Sequence, residues 1–167
     1  MEIRIAGITP ESVVDGPGIR MVIYAQGCKH NCPGCHNPET HDLDGGRLMS
    51  VEEILQIVGK GKLIKGVTFS GGEPFLQAAE FAVLGRAIKK RGLDLITYTG
   101  YTFEQLLELA KDNQGVKELL EVSDFIVDGP FLIKKRDLTL PWRGSTNQRF
   151  INVKKSLEKG YAVEGEG

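Results

Sequence analysis

The sequence lacks any long hydrophobic run. In its 167 residues, no stretch approaches the ~18 consecutive apolar residues that suggest a membrane-spanning helix. The longest apolar runs, such as residues 21–25, have the length of a strand. No basic N-terminal segment precedes an apolar run, so the sequence predicts no secretory signal. These absences argue against a membrane or secreted protein and predict a cytoplasmic one.

The sequence also lacks an excess of charge of either sign. Its 21 Lys and Arg residues nearly balance 22 Asp and Glu residues, for a net charge of −1. Proteins that bind nucleic acid or anionic membranes through bulk charge are strongly basic, so neither is an expected partner.

The length is close to the ~150 residues typical of one domain. We expect a single domain over residues 1–155 and a C-terminal tail over 156–167, loose from Glu164 onward.

Cysteine is scarce and unevenly distributed. The chain contains three cysteines and three histidines, and all six lie within the 14 residues from Cys28 to His41. An odd number of closely spaced cysteines does not provide the disulfide framework of a secreted protein. The cluster therefore indicates metal ligands or reactive thiols in a reducing compartment.

The residues leave more than one interpretation of this cluster open. Buried cysteines acting as small hydrophobic residues fit poorly, because their neighbours are polar and turn-forming. A structural zinc site would need a fourth ligand, for which His30, His36 and His41 are the candidates. A [4Fe-4S] cluster normally has four cysteine ligands, so three cysteines would leave one iron without a protein ligand.

Apolar runs alternate with amphipathic stretches along the chain, which predicts an α/β fold with a mainly parallel sheet. The chain is too short for a closed eight-fold barrel of ~250 residues, so we expect an incomplete, open-sided (β/α) barrel. The predicted strands are residues 19–26, 67–69, 93–99, 125–127 and 150–153, and the predicted helices are 51–58, 77–91, 102–110 and 116–121. Function in such folds lies at the C-terminal ends of the strands.

The cysteine motif resembles that of the radical S-adenosylmethionine (SAM) enzymes. Cys28, Cys32 and Cys35 have the spacing Cys-x3-Cys-x2-Cys, and residues 71–73 read Gly-Gly-Glu after the next predicted parallel strand. In that family three cysteines hold a [4Fe-4S] cluster, SAM chelates the fourth iron, and the Gly-Gly-Glu strand end receives the methionine amino group. The resemblance implies the same roles here, within the family's open-sided barrel.

The resemblance also implies a set of SAM contacts. Many members carry an aromatic residue before the third cysteine, where this chain has Gly34, so His36 is the expected substitute ring. The implied SAM-binding residues are Gly34, Cys35, His36, Ser70, Gly71, Gly72, Glu73, Thr97 and Asp128. His30 and His41 are interpreted as loop residues without a ligand role.

Further segments resemble one branch of this family. Residues 15–20, Asp-Gly-Pro-Gly-Ile-Arg, resemble the entry of the glycyl-radical activating enzymes, although a tight turn would also explain them. Residues 98–101, 127–131 and 142–148 resemble the branch that activates anaerobic (class III) ribonucleotide reductase, and the likeness extends over about residues 3–153. The implied contacts to this partner protein are Asp15, Arg20, Arg143 and Asn147.

The resemblance implies cofactor-based chemistry with no catalytic side chain. An external one-electron donor such as flavodoxin or ferredoxin would reduce the cluster. SAM would then be cleaved to methionine and a 5′-deoxyadenosyl radical, which would abstract a hydrogen from a glycine of the reductase. With three cysteines in the chain, no second cluster is expected. The alternatives are an activase of another glycyl-radical enzyme, such as pyruvate formate-lyase, and a small zinc-binding adaptor without catalysis.

Overall fold

A computed structural model describes residues 1–30, 41–59 and 63–165 of the chain. The described residues form a seven-stranded sheet with the order β3-β1-β2-β4-β5-β6-β7. Its strands are β1 (Glu2–Ser12), β2 (Arg20–Ala25), β3 (Arg47–Ser50), β4 (Gly66–Gly71), β5 (Asp94–Tyr98), β6 (Phe125–Asp128) and β7 (Arg149–Asn152). The helices are α1 (Val51–Val58), α2 (Ala78–Lys90), α3 (Phe103–Asp112), α4 (Gln114–Val122) and α5 (Val153–Lys159).

The four central strands, β2, β4, β5 and β6, are mutually parallel. Strands β1, β3 and β7 flank them in antiparallel orientation. The linear strand order ends at β3 on one side and β7 on the other, so the sheet stays open. This arrangement confirms the predicted α/β class and mainly parallel sheet.

Strands β1 and β3 were not predicted from the sequence. Strand β1 pairs with β2 through a register that shifts after Ile5 and again after Thr9. Such irregularities interrupt the two-residue alternation by which a strand is identified. Strand β3 reads Arg-Leu-Met-Ser and buries only Met49, so it lacks the buried apolar pair that marks the equally short β6 and β7.

Alternating side chains give the sheet two different faces. On one face, apolar strand residues such as Phe69 and Leu95 share a core cluster with residues of helices α1 to α4. On the opposite face, Tyr24, Ser70 and Tyr98 line a cavity. The chain after β6 covers part of this second face, so the site lies between the sheet and residues 129–148.

The tail differs from the prediction of a loose segment. Glu164 forms a β-bridge with Ile151, and the Gly165 N–H donates to the carbonyl of Phe150 at 2.7 Å. Strand β7 lies at the edge of the sheet, and its free backbone groups accept this extra pairing. Residues 166 and 167 lie outside the described part of the chain. None of the described helices combines the length and apolar character that crossing a bilayer would require.

Candidate cofactor-binding site

A cavity of about 600 Å³ opens at the C-terminal ends of the parallel strands. The residues that follow four neighbouring strands meet there, as expected where parallel strands end at one edge of a sheet. These residues are Cys28 after β2, Gly71 and Gly72 at the end of β4, Gly100 after β5, and Gly129 after β6. His41 lies in the same wall and accepts a hydrogen bond from the Cys28 N–H through its carbonyl.

Part of the predicted site lies outside the described residues. Cys32, Gly34, Cys35 and His36 belong to residues 31–40, which the structure does not describe. Within the described ranges, no group of three or more His, Cys, Asp or Glu residues is arranged to hold a metal ion. Cys28 is therefore the predicted cluster ligand whose position can be given.

Glycine at position 71 brings two strand ends close together. Gly71 has φ +87°, and a Cβ there would lie 2.7 Å from the carbonyl oxygen of Ala25. The Gly72 N–H donates to that same carbonyl at 2.8 Å, and the Glu73 N–H donates to the carbonyl of Gly27 at 2.7 Å. Only glycine tolerates this conformation and spacing readily. The backbone beside Cys28 is thus fastened to the Gly-Gly-Glu segment, with open cavity in front of it.

The Glu73 side chain is buried and forms its hydrogen bonds with other groups of the protein. It is 1% exposed, and its carboxylate accepts hydrogen bonds from Thr99 Oγ1 at 2.9 Å and from the Gly100 N–H at 2.8 Å. The Phe75 N–H and His30 Nε2 also contact it, at 3.1 and 2.6 Å. Glu73 therefore joins the ends of β4 and β5, and it is the backbone of Gly71 and Gly72 that faces the cavity.

Two predicted SAM contacts lie on the wrong face of the sheet. Thr97 is 0% exposed, and its hydroxyl pairs with Ser123 Oγ at 2.8 Å among the helices. Asp128 is also 0% exposed and accepts from the Phe103 N–H at 2.8 Å, where α3 begins. Neither lines the cavity, so the structure does not bring them to the site. Alternation from the buried Leu95 would have placed Thr97 on the helical face.

Asp128 has a structural partner that the sequence did not suggest. Arg149 donates to both of its carboxylate oxygens, with Nη2 2.5 Å from Oδ2 and Nε 3.1 Å from Oδ1. The same guanidinium reaches Glu104 in α3 at 2.7 Å. This hydrogen bond lowers the pKa of Glu104, and the bond to Asp128 raises the pKa of Arg149. These contacts of Arg149 with Asp128 and Glu104 link α3 to β6 and β7.

Arg20 is not available to a partner protein in this structure. Its side chain is 0% exposed and forms an ion pair with Asp94 at 2.5 Å. Its Nε donates to Thr68 Oγ1, which in turn donates to the carbonyl of Asp15 at 2.9 Å. Arg20 thus holds the turn before β2 against the sheet. Asp15 itself lines the cavity and accepts a hydrogen bond from Ser12 at 2.6 Å.

The segment Trp142–Gln148 forms one wall of the cavity. Arg143 lines the cavity, and its buried Nε has no hydrogen-bond partner among the described residues. Asn147 instead donates to the carbonyl of Pro130 at 2.8 Å, and Gln148 donates to the carbonyl of Gly129 at 3.0 Å. Asn147 therefore braces the chain after β6, whereas Arg143 keeps a cationic group at the cavity.

Two aromatic residues of the site were not identified from the sequence. Tyr98 and Trp142 both line the cavity, and the Tyr98 hydroxyl donates to the Trp142 carbonyl at 2.6 Å. Burial raises the pKa of Tyr98 strongly, and the negative charge of Asp15 raises it further against the opposing effect of Arg20. Trp142 has φ +59°, which few large side chains adopt. The Tyr98 bond supports that conformation.

His30 has more contacts than a simple loop residue would. Its Nε2 lies 2.6 Å from Glu73 Oε1, and its ring meets Tyr101 edge to face with centroids 4.6 Å apart. His30 is also among the residues that line the cavity. His30 therefore lies in the loop after β2, and its contacts with Glu73 and Tyr101 fix the position of its ring.

Comparisons with known proteins give consistent matches. The model of the family described as "4Fe-4S single cluster domain" matches residues 14–151. The anaerobic ribonucleoside-triphosphate reductase-activating protein of Vibrio cholerae is 37% identical over 147 residues, 83% of this chain and 91% of that protein. The protein of the same name from Enterobacteria phage T4 is 34% identical, covering 85% of this chain and 89% of its own length.

Two further matches are less extensive. The pyruvate formate-lyase-activating enzyme of Clostridium pasteurianum is 36% identical over 75% of this chain, which spans 55% of that enzyme. The crystal structure of QueE from Escherichia coli is 21% identical and aligns with a TM-score of 0.49 over 61% of this chain and 54% of its own.

Proposed function

Since this chain belongs to the 4Fe-4S single cluster domain family and, within it, to the anaerobic ribonucleoside-triphosphate reductase-activating proteins, we propose that it activates an anaerobic ribonucleotide reductase. The observation that carries the proposal is the cavity at the strand ends, which places Cys28 beside the glycine-lined end of β4. The family match extends over the same segments.

The residues around the cavity fit an iron–sulfur cluster and SAM. Cys28, Cys32 and Cys35 would hold the cluster, and the backbone of Gly71 and Gly72 leaves room for a ligand close to it. When bound, the cluster and SAM supply the one-electron chemistry that removes a hydrogen atom from a glycine of the reductase. An external donor such as flavodoxin or ferredoxin would provide the electron.

The chain's own residues bind and orient in this scheme. Ser70 offers a hydroxyl on the cavity side of β4. Tyr98 stays protonated, because burial raises its pKa, and its hydroxyl holds the wall at Trp142. Phe131 and Leu140 add apolar surface, which limits the access of water to a reactive site.

The mouth of the cavity suits a protein substrate. Val14 and Leu138 both line the cavity, yet they are 70% and 73% exposed. Exposed apolar side chains around an open site are typical of a protein-binding surface. We assign contacts with the partner to Asp15 and Arg143, which line the same cavity.

The decisive experiment is anaerobic activation. The chain is reconstituted with iron and sulfide, then mixed with a purified anaerobic ribonucleotide reductase, dithionite and SAM. We expect a glycyl-radical doublet in the EPR spectrum that requires both SAM and the chain. A colourless protein that holds one zinc ion and forms no radical would overturn the proposal in favour of a zinc-binding adaptor.

A second candidate substrate is pyruvate formate-lyase, because its activating enzyme from C. pasteurianum is 36% identical. The chain spans only 55% of that enzyme but 91% of the reductase activator from V. cholerae, which favours the reductase. A parallel reaction with pyruvate formate-lyase separates the two. A radical on the lyase and none on the reductase would reverse the assignment.

A further inference from the structure

Glu73 and His30 connect two parts of the site that are 43 positions apart. His30 follows Cys28 by two residues in the segment after β2. Its Nε2 lies 2.6 Å from a carboxylate oxygen of Glu73, whose side chain is 1% exposed. A carboxylate can only accept, so the Nε2–H of His30 is the donor. Charge-assisted hydrogen bonds of this length in a buried setting are among the stronger ones.

Two neighbouring residues restrict the histidine ring further. Tyr101 meets it edge to face with the ring planes at 80°. On Gly100, an added Cβ would lie 2.4 Å from His30 Cδ2, and its three nearest atoms would all belong to this ring. Gly100 does not have a positive φ, so its backbone conformation does not require glycine. Glycine is required at this position because the His30 ring occupies the space that a Cβ would need.

We propose that His30 is a positioning residue that fastens the segment carrying Cys28 to the ends of β4 and β5. Glu73 is the fixed point, since Thr99, Gly100 and Phe75 already hold its carboxylate. Gly100 has no side chain and so leaves room for the His30 ring. The inference rests on the proposed function in one respect, namely that Cys28 ligates the cluster.

The test compares cluster retention among three substitutions of His30. In His30→Gln the amide nitrogen is as many bonds from Cβ as Nε2 is, so it can still donate to Glu73. In His30→Asn the amide nitrogen is one bond closer and falls short. After anaerobic reconstitution and gel filtration, we expect His30→Ala and His30→Asn to retain at least threefold less iron and sulfide per chain than wild type. His30→Gln should recover most of it.

A second pair of variants reaches the same contact from the other side. Gly100→Ala should lower cluster retention as His30→Ala does, because its Cβ displaces the ring. Added to His30→Ala, it should cause no further loss, because the ring it displaces is gone. Gly7→Ala is the matched control, since a Cβ at Gly7 meets no atom within 4 Å. It should retain as much iron as wild type.

The outcomes separate this inference from the proposed function. Iron content and the EPR spectrum of the reduced cluster need no reductase, so they report on His30 even if no glycyl radical ever forms. Thermal unfolding of the metal-free variants shows whether any loss arises from general destabilisation. Wild-type iron content in His30→Ala would overturn the inference. So would an equal loss in His30→Gln and His30→Asn, or an additive effect of Gly100→Ala.

Discussion

At the scale of single residues, the buried Glu73 carboxylate is held by four donor groups. Its carboxylate accepts from Thr99, from the backbone of Gly100 and Phe75, and from His30. In Glu73→Gln, one oxygen becomes an NH2 group that faces donors instead of accepting from them. We expect the metal-free protein to lose about 1–3 kcal/mol of stability, measured by urea unfolding. Glu121→Gln, at an exposed position of α4, should change it by less than about 0.5 kcal/mol.

Tyr98 predicts a pH dependence of stability. Burial, then the charge of Asp15, raises its pKa in the folded state. The stability that the buried, protonated Tyr98 contributes to the folded state is therefore fully present below the pKa of about 10 of an unfolded tyrosine. It is lost as the pH rises beyond that value, because only the unfolded tyrosine ionises there. This favours unfolding by up to about 1.4 kcal/mol per pH unit.

The variant Tyr98→Phe isolates that effect. It loses the hydrogen bond to Trp142 and is less stable at neutral pH, but its stability should fall less steeply between pH 9 and 11. Urea unfolding at several pH values measures both slopes. Tyr161→Phe removes a tyrosine that is 59% exposed, so it should keep the wild-type slope. Equal slopes for wild type and Tyr98→Phe would contradict the prediction.

The sequence predicted where site residues lie along the chain better than it predicted which face of the sheet their side chains occupy. The glycines that end β4 were identified, because a motif marks a position along the chain. Thr97 and Asp128 were misplaced, because a motif at a strand end does not state which face each side chain occupies. His30 was interpreted as a loop residue without a ligand role, and its contact with Glu73, 43 positions away, was not predicted because no local pattern encodes such a contact.

At the scale of elements, the sequence marks the starts of α1 and α3. Ser50 precedes Glu53 by three residues, which is the pattern of a capping box, and the structure contains both of its hydrogen bonds. Thr102 and Gln105 have the same spacing and form a second box at the start of α3. The central parallel strands were also predicted, because buried strands read as continuous apolar runs. Strand β1 was not, because register shifts break its alternation.

The α1 cap gives a prediction of its own. Ser50 Oγ accepts from the Glu53 N–H at 3.0 Å, and Glu53 returns a bond to the Ser50 N–H at 3.2 Å. In Ser50→Ala, one of the free N–H groups at the helix start loses its partner. We expect a loss of about 1 kcal/mol, measured by thermal or urea unfolding. Gln56→Ala, exposed in the same helix but outside the cap, should not reproduce this loss.

At the scale of the whole molecule, a nearly neutral chain carries a local positive charge beside its cavity. Residues 134–136 read Lys-Lys-Arg and are all exposed. In the part of the chain that the structure describes, none of the three forms an ion pair with Asp or Glu, and the adjacent Asp137 is bonded to Thr139. Phe131 before them and Leu138 after them line the cavity. Such a positively charged rim would attract an acidic surface of a partner protein.

Charge reversal at this rim tests how the protein substrate docks. In Lys134→Glu/Lys135→Glu, we expect the Kd for the reductase to rise at least tenfold at low ionic strength, because steering by the rim becomes repulsion. The difference should shrink at high salt, where the Debye length falls. Lys154→Glu/Lys155→Glu makes the same charge change on two exposed lysines of α5, a helix of which no residue lines the cavity. Its Kd should rise less than that of the rim variant, because only the rim lies between residues that line the cavity, Phe131 and Leu138. Equal weakening by both pairs would mean that net charge, and not this rim, governs the encounter.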